Sequence, residues 1–120
     1  MEVKELYAKL DGNYEEALHR MMNDGFIGRM VLKFKDNNNC QQLLDDISRE
    51  DMAAVFATSH ALKGVAGNLA FTSLFDISSK ICEKTRNIKE GEKVDLSSDA
   101  LEFKEISSKV LKALEEFANN

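Results

Sequence analysis

The chain contains no proline and no tryptophan, and it has only two cysteines among its 120 residues. Proline interrupts helices most strongly, and most of the residues present are good helix formers, so an all-helical fold is favoured. The two cysteines, Cys40 and Cys82, are far apart in sequence and suit a reducing cytoplasm better than a disulfide-stabilised secreted domain. We therefore expect an all-α protein of the cytoplasm.

Long apolar runs and an excess of positive charge are also missing. No stretch approaches the ~20 apolar residues of a membrane span, and Met1 is followed by charged residues rather than a signal peptide. The formal net charge of −5 argues against general nucleic-acid binding, because neutralising phosphates requires clustered lysine and arginine. We therefore expect neither a membrane nor a nucleic acid as partner.

Short polar breaks divide the chain into helical segments. They fall at residues 11–13, 23–25 and 37–39, and in a charged loop around Gly91. Apolar residues recur between the breaks at the spacing of one helix face. We expect a single domain, in which residues 1–24 form short N-terminal helices and residues 25–118 form an antiparallel four-helix bundle.

Several helix starts carry side chains that can cap them. Asn13, with Glu16 three residues later, has the form of a capping box. Asp51 is expected to cap the long helix that follows it. Thr72 or Ser73 is expected to cap the next helix.

The helix after Asp51 has two different faces. At about 100° per residue, one side collects the residues expected to face the core: Val55, Leu62, Val65, Ala66 and Leu69. His60 lies on the other side, where it is expected to be exposed, with Lys63 at the edge. Small residues and one aromatic surround it: Ala53, Phe56, Ala57, Gly64 and Gly67. A glycine in a helix is about 1 kcal/mol less favourable than alanine, so two of them indicate close approach of a partner.

The residues around His60 suit phosphoryl transfer better than hydrolysis. Imidazole is a competent nucleophile near pH 7, and the Lys63 ammonium one turn away can hold phosphate oxygens. No acidic residue stands three, four or seven positions after His60, and Ser59 points towards the core, so no hydrolytic triad is expected. A Gly-rich nucleotide loop is also missing. We expect a phosphocarrier rather than an enzyme with its own nucleotide site.

The run from His60 to Gly64, followed by Gly67, resembles the signature of histidine-containing phosphotransfer (HPt) domains. The resemblance covers about residues 25–90. It implies a bundle whose exposed histidine takes a phosphoryl group from the aspartyl phosphate of a receiver domain and passes it on. By this resemblance His60 is the phosphoacceptor and Lys63 steadies the phosphoryl group. Receiver docking is implied on the remaining surface residues: Ala53, Phe56, Ala57, Gly64 and Gly67.

The resemblance also implies partners. These are response-regulator receiver domains and a hybrid sensor histidine kinase, acting in two-component signalling on a monomeric chain. The receiver would bring Mg²⁺ and most of the catalysis, and no metal or cofactor is expected on this chain. Many members of the family orient the histidine with Gln or Glu where this chain has Cys82, a poor substitute. Ser79, one turn earlier, or a water is the expected replacement.

Other interpretations remain open at this point. One alternative is a helical adaptor that binds receiver or kinase domains through the surface around Phe56 without phosphorylation. A metal-dependent or hydrolytic enzyme is a weaker alternative, because the histidines and cysteines show no ligand spacing. His19 is expected to be an ordinary surface residue. Residues 84–86, with Lys89, are expected to form a small basic patch.

Overall fold

The computed structural model describes residues 1–119, which contain seven α-helices and no strand. In chain order the helices are α1 (Val3–Lys9), α2 (Tyr14–Met21), α3 (Asp24–Lys35), α4 (Asn39–Ser48), α5 (Met52–Asn68), α6 (Thr72–Thr85) and α7 (Ser97–Ala118). The polar breaks expected from the sequence separate the first four helices. The predicted all-α fold is confirmed.

The bundle is built around the pairing of α5 with α6, the most extensive contact between helices. α6 packs in turn against α7, and α4 packs against both α5 and α7. α3 also lies against α7, and residues 36–38 separate α3 from α4. The resulting molecule is elongated, with extents of 46 × 25 × 20 Å.

The first helix contributes to the same core. Tyr7 of α1 is buried with its ring 5.6 Å from that of Phe71, and Phe34 packs edge-on against Phe71 at 5.5 Å. The Tyr7 hydroxyl donates a hydrogen bond of 2.7 Å to the carbonyl of Leu69. Burial raises the pKa of Tyr7 above its ordinary value, so this hydroxyl stays a donor. α1 thereby fixes the turn between α5 and α6.

Only half of the capping box predicted at the start of α2 is formed. Asn13 caps α2, since its side chain accepts a 3.0 Å hydrogen bond from the Glu16 backbone N–H. The reciprocal half of the capping box is replaced, because the Glu16 carboxylate pairs with Arg20 instead. The Asn13 backbone N–H donates at 2.8 Å to the carbonyl of Ala70. The N-terminal region is therefore tied to the end of α5.

The caps predicted for α5 and α6 have different outcomes. Asp51 caps α5 as predicted, accepting a 3.1 Å hydrogen bond from the Ala54 N–H. The prediction for α6 is wrong, because its N-cap is Phe71 and no side chain caps it. Phe71 is fully buried, and its N–H bonds back to the carbonyl of Ala66 at 2.9 Å. This tight turn starts the helix at once, so Thr72 and Ser73 already lie inside it.

Candidate functional site

His60 lies on the solvent side of α5, as predicted. Its side chain is exposed, whereas Val55, Leu62 and Ala66 on the same helix are fully buried. Ser59 is also buried, and its hydroxyl donates at 3.2 Å to the carbonyl of Phe56. Ser59 therefore has its hydroxyl on the core side and is no nucleophile beside His60.

An aromatic ring and an ion pair adjoin the imidazole. Phe56 stands one turn before His60, with the two ring centroids 5.8 Å apart. The guanidinium of Arg86, the C-cap residue of α6, lies 5.3 Å from the centroid of the Phe56 ring, a cation–π distance. Glu83 holds Arg86 through a contact of 2.9 Å between Oε1 and Nη2. The imidazole, the phenyl ring and the ion pair thus form a continuous strip from α5 to α6.

Lys63, one turn after His60, is half-buried on the same side. The pKa of Glu83 lies below its ordinary value, first because Arg86 donates a hydrogen bond to it and then because of the Arg86 charge. The charge of Lys63 lowers this pKa further. Lys63 is therefore within electrostatic reach of α6, and its ammonium can act as a point charge beside His60.

The two glycines of the site have different surroundings. A Cβ added at Gly64 would meet no atom of the described residues within 4 Å, so this position leaves open space beside the imidazole. A Cβ at Gly67 would stand 3.2 Å from Cδ1 of Phe75, which is tighter than an ordinary contact. Gly67 thus also lets α6 pack closely on α5.

The remaining predicted residues complete one surface. Ala53 and Ala57 are exposed, and Phe56 is half-buried. We call the whole surface the His60 face; it comprises Ala53, Phe56, Ala57, His60, Lys63, Gly64 and Gly67. Small side chains around one aromatic residue make it suited to close approach by a folded protein. The structure brings all seven residues together on one side of α5.

The two candidates for orienting His60 lie on α6. Gly67 faces Phe75 and Phe56 faces Arg86, and this antiparallel register sets Cys82 level with His60. The Cys82 side chain is fully buried, so it points into the bundle. Ser79 lies level with Lys63, and its buried hydroxyl has no hydrogen-bond partner within residues 1–119. Ser79 is therefore the candidate with an unused hydroxyl, whose oxygen can accept a hydrogen bond from Nδ1–H.

The expected basic patch after α6 is divided between two sides of the molecule. The Lys84 ammonium lies 2.7 Å from Oδ2 of Asp99, a buried carboxylate on α7. Thr85 is buried, and its hydroxyl donates to the carbonyl of Ile81 at 2.9 Å. Arg86 alone of this trio lies beside the His60 face.

Glu83 and Phe75 were missed by the sequence analysis. The spacing of Glu83 and Arg86 is that of a helical ion pair, which was a usable signal. Nothing local indicated that Phe75 would lie against Gly67, because that contact joins two helices. His19, by contrast, is an exposed residue of α2, as expected.

Neither a metal-binding cluster nor a membrane-spanning helix is found in the part of the chain that the structure describes. Within residues 1–119, no three side chains of His, Cys, Asp or Glu cluster in a way that would hold a metal ion. Across the same residues, none of the helices combines the length and the apolar character needed to cross a bilayer.

Comparison with known families places the chain in one of them. The family model described as Hpt domain matches residues 35–120, which include α4 to α7 and the whole His60 face. The chain therefore belongs to the HPt domain family, whose members carry phosphoryl groups in two-component signalling and interact with receiver domains and kinases. Neither the curated proteins nor the solved structures that were compared include a match.

Proposed function

We propose that this protein is a phosphorelay intermediate in which His60 accepts a phosphoryl group from a receiver-domain aspartyl phosphate and passes it on. The observation that carries the proposal is the exposure of His60 on a helix whose opposite face is fully buried. A rigid, exposed imidazole can meet the active site of another protein without unfolding its own domain. Lys63 and the open position at Gly64 stand beside it.

The proposed step is an in-line displacement at phosphorus. The Nε2 lone pair of His60 forms the N–P bond as the P–O bond to the receiver aspartate breaks, and the electron pair leaves with that carboxylate. The ring then carries a positive charge until the Nδ1 proton moves to an acceptor. Transfer to a second receiver reverses these events. The chain itself needs no nucleotide site for this chemistry.

The neighbours of His60 take different roles in this proposal. The Lys63 ammonium offsets negative charge on the phosphoryl oxygens. Gly64 and Gly67 allow the receiver loops to approach the imidazole. Ala53, Phe56 and Ala57 supply the remaining docking area, with Phe56 as its one large apolar group. Ser79 is the proposed partner of Nδ1, ahead of Cys82.

The partners follow from the same chemistry. We propose receiver domains as donor and acceptor, with a hybrid sensor histidine kinase upstream and Mg²⁺ supplied by the receiver. The chain is proposed to act as a monomer, since the His60 face must be free to meet two receivers in turn. Its cysteines are both buried free thiols, which suits the cytoplasm as its compartment.

The test is phosphorylation of the purified protein by a small phosphoramidate and by phosphorylated receiver domains. His60→Gln is compared with wild type on a phosphate-affinity gel, and ³¹P NMR identifies the adduct. His19→Gln is the matched control, because His19 is the chain's other histidine and lies exposed on α2. We expect an acid-labile, base-stable phosphohistidine in wild type and His19→Gln, and none in His60→Gln.

The adaptor alternative gives a different result. It is favoured by the strip of Phe56, Arg86 and Glu83, which offers contacts that do not require the imidazole. An adaptor would bind receivers equally well as wild type and as His60→Gln, and neither donor would label it. That combination would contradict the phosphorelay proposal.

A further inference from the structure

A cleft opens beside the His60 face where α2 meets the end of α5 and the start of α6. It has a volume of about 280 Å³. Gly67 and Phe75 line its apolar floor, and Glu16 and Arg20 of α2 line its rim. Gly67 belongs to the His60 face, so the cleft continues that surface. α2 itself lies outside the residues that match the HPt family.

The cleft lies within the area that a docked protein covers. Gly67 is seven residues after His60, which is about 10 Å along a helix that rises ~1.5 Å per residue. A stable interface buries about 800 Å² on each partner, equivalent to a disc ~16 Å in radius. A receiver domain centred on His60 therefore covers Gly67, which belongs to the lining of the cleft.

Arg20 is held in place at the rim of the cleft. Its Nε and Nη2 atoms contact Oε1 of Glu16 at 3.1 and 3.0 Å. The side chain is nevertheless 47% exposed, so the guanidinium keeps further N–H donors for a partner. Asp76 of α6 adds a second carboxylate to the rim. Arginine beside an apolar hollow is a residue type that often dominates the energy of an interface.

We infer that this cleft is a second docking element for the receiver domain, with Arg20 as a residue that determines which receiver binds. The inference rests on the proposed function. An apolar side chain of the receiver enters the cleft, and Arg20 contacts a carboxylate beside it. The rim carries charges of both signs, so it selects a matching pattern rather than any acidic protein.

The experiment compares Arg20→Glu with wild type, using a panel of purified receiver domains and calorimetry. For the receiver that binds wild type most tightly, we expect Arg20→Glu to raise Kd at least fivefold, because the rim becomes wholly acidic. Labelling of His60 by phosphoramidate should stay within twofold of wild type. Arg20→Lys should recover part of the affinity. Lys104→Glu, an equal charge change at an exposed position of α7, should leave Kd unchanged.

Two results would overturn the inference alone, and a third would overturn the proposed function with it. Equal Kd values for wild type and Arg20→Glu, with unchanged circular dichroism, would overturn the inference while leaving the proposed function intact. Slower labelling by phosphoramidate in Arg20→Glu would also overturn it, because the substitution would then be disturbing His60 itself. A wild-type protein that binds no receiver would overturn the proposed function together with the inference.

Discussion

At the residue scale, the chemistry of His60 depends on which nitrogen of its ring carries the proton. A hydrogen-bond partner at Nδ1 leaves Nε2 as the nucleophile and holds the ring in one orientation. Cys82 lies level with His60 but is fully buried, and its sulfur accepts a long 3.9 Å contact from Arg86. The Ser79 hydroxyl of α6 is buried, and no other group of residues 1–119 uses it.

We expect Ser79→Ala to slow phosphorylation of His60 more than Cys82→Ala does. A hydrogen bond that Ser79 accepts from the ring during the transfer would be worth about 1 kcal/mol, or about fivefold in rate. The measurement is the initial rate of labelling by phosphoramidate, with the folded fraction of each variant checked by circular dichroism. Equal rates for the two variants would show that Ser79 does not orient the ring.

A second feature at the residue scale is the Cys40 thiol, which makes the stability of the protein depend on pH. Burial raises the pKa of Cys40 from 9.0 to about 11. The folded protein therefore keeps the thiol proton at a pH where the unfolded chain has lost it. This contribution to stability is fully present below about pH 9 and is lost as the pH rises towards 11.

We therefore expect the free energy of unfolding to fall by about 1 to 2 kcal/mol between pH 8 and pH 10.5 because of Cys40 alone. Urea unfolding of wild type and Cys40→Ala at both values measures this difference. Tyr7 contributes equally to both proteins, so the comparison isolates the thiol. A parallel decline in the two proteins would contradict the assignment.

At the element scale, α5 ends in a turn where an alanine has a backbone conformation that usually belongs to glycine. Ala70 has φ 57, a left-handed conformation that favours glycine. Its N–H bonds to the carbonyl of Gly67 at 3.1 Å, and the Phe71 N–H bonds to that of Ala66 at 2.9 Å. These two bonds form a Schellman motif, in which the left-handed residue is usually glycine. The helix that carries His60 therefore ends with some backbone strain.

We expect Ala70→Gly to raise the free energy of unfolding by about 0.5 to 1 kcal/mol, because the left-handed conformation is about 1 to 2 kcal/mol unfavourable for alanine. Ala61→Gly, inside the same helix and exposed, should instead lower it by about 1 kcal/mol. Thermal and urea unfolding of both variants provide the test. Two changes of the same sign would argue against strain at Ala70.

At the scale of the whole molecule, the helices before residue 24 are built into the bundle. Five of their residues are buried: Val3, Leu6, Tyr7, Leu10 and Ala17. A Cβ at Gly12 would lie 2.6 Å from the Tyr7 ring and 3.0 Å from the Ala70 carbonyl, so the loop after α1 fits closely against the end of α5. We propose that residues 1–24 and 25–118 fold as one unit.

Deletion of residues 1–23 should therefore leave a protein without cooperative unfolding near ambient temperature. Each large apolar side chain lost from the core removes about 1.5 to 3 kcal/mol, against a typical total of about 5 to 15 kcal/mol. Circular dichroism during a thermal scan measures this. The substitution Tyr7→Phe is the milder comparison: it removes only the hydroxyl and should lower the free energy of unfolding by about 1 kcal/mol. A truncated chain with the wild-type Tm would show that the N-terminal helices are detachable.

Much of the candidate site was accessible from the sequence because it lies on one helix. The exposure of His60 and the burial of Leu62 follow from 3.6 residues per turn and a single apolar stripe. Asp51 could be predicted as a cap because its bond reaches only three residues along the chain. The prediction that Thr72 or Ser73 caps the next helix used the same reasoning and was wrong, because the helix begins directly after the buried Phe71.

The sequence by itself determined the all-α class, the positions of the polar breaks and the residues that share the His60 face. These features depend on side chains within about four positions of one another, where helix geometry is the same in every protein. Only the tertiary structure decided that Arg86 covers Phe56, that Cys82 is buried and that α2 stands beside Gly67. Such contacts join different helices, and their register is set by the packing of the whole core at once.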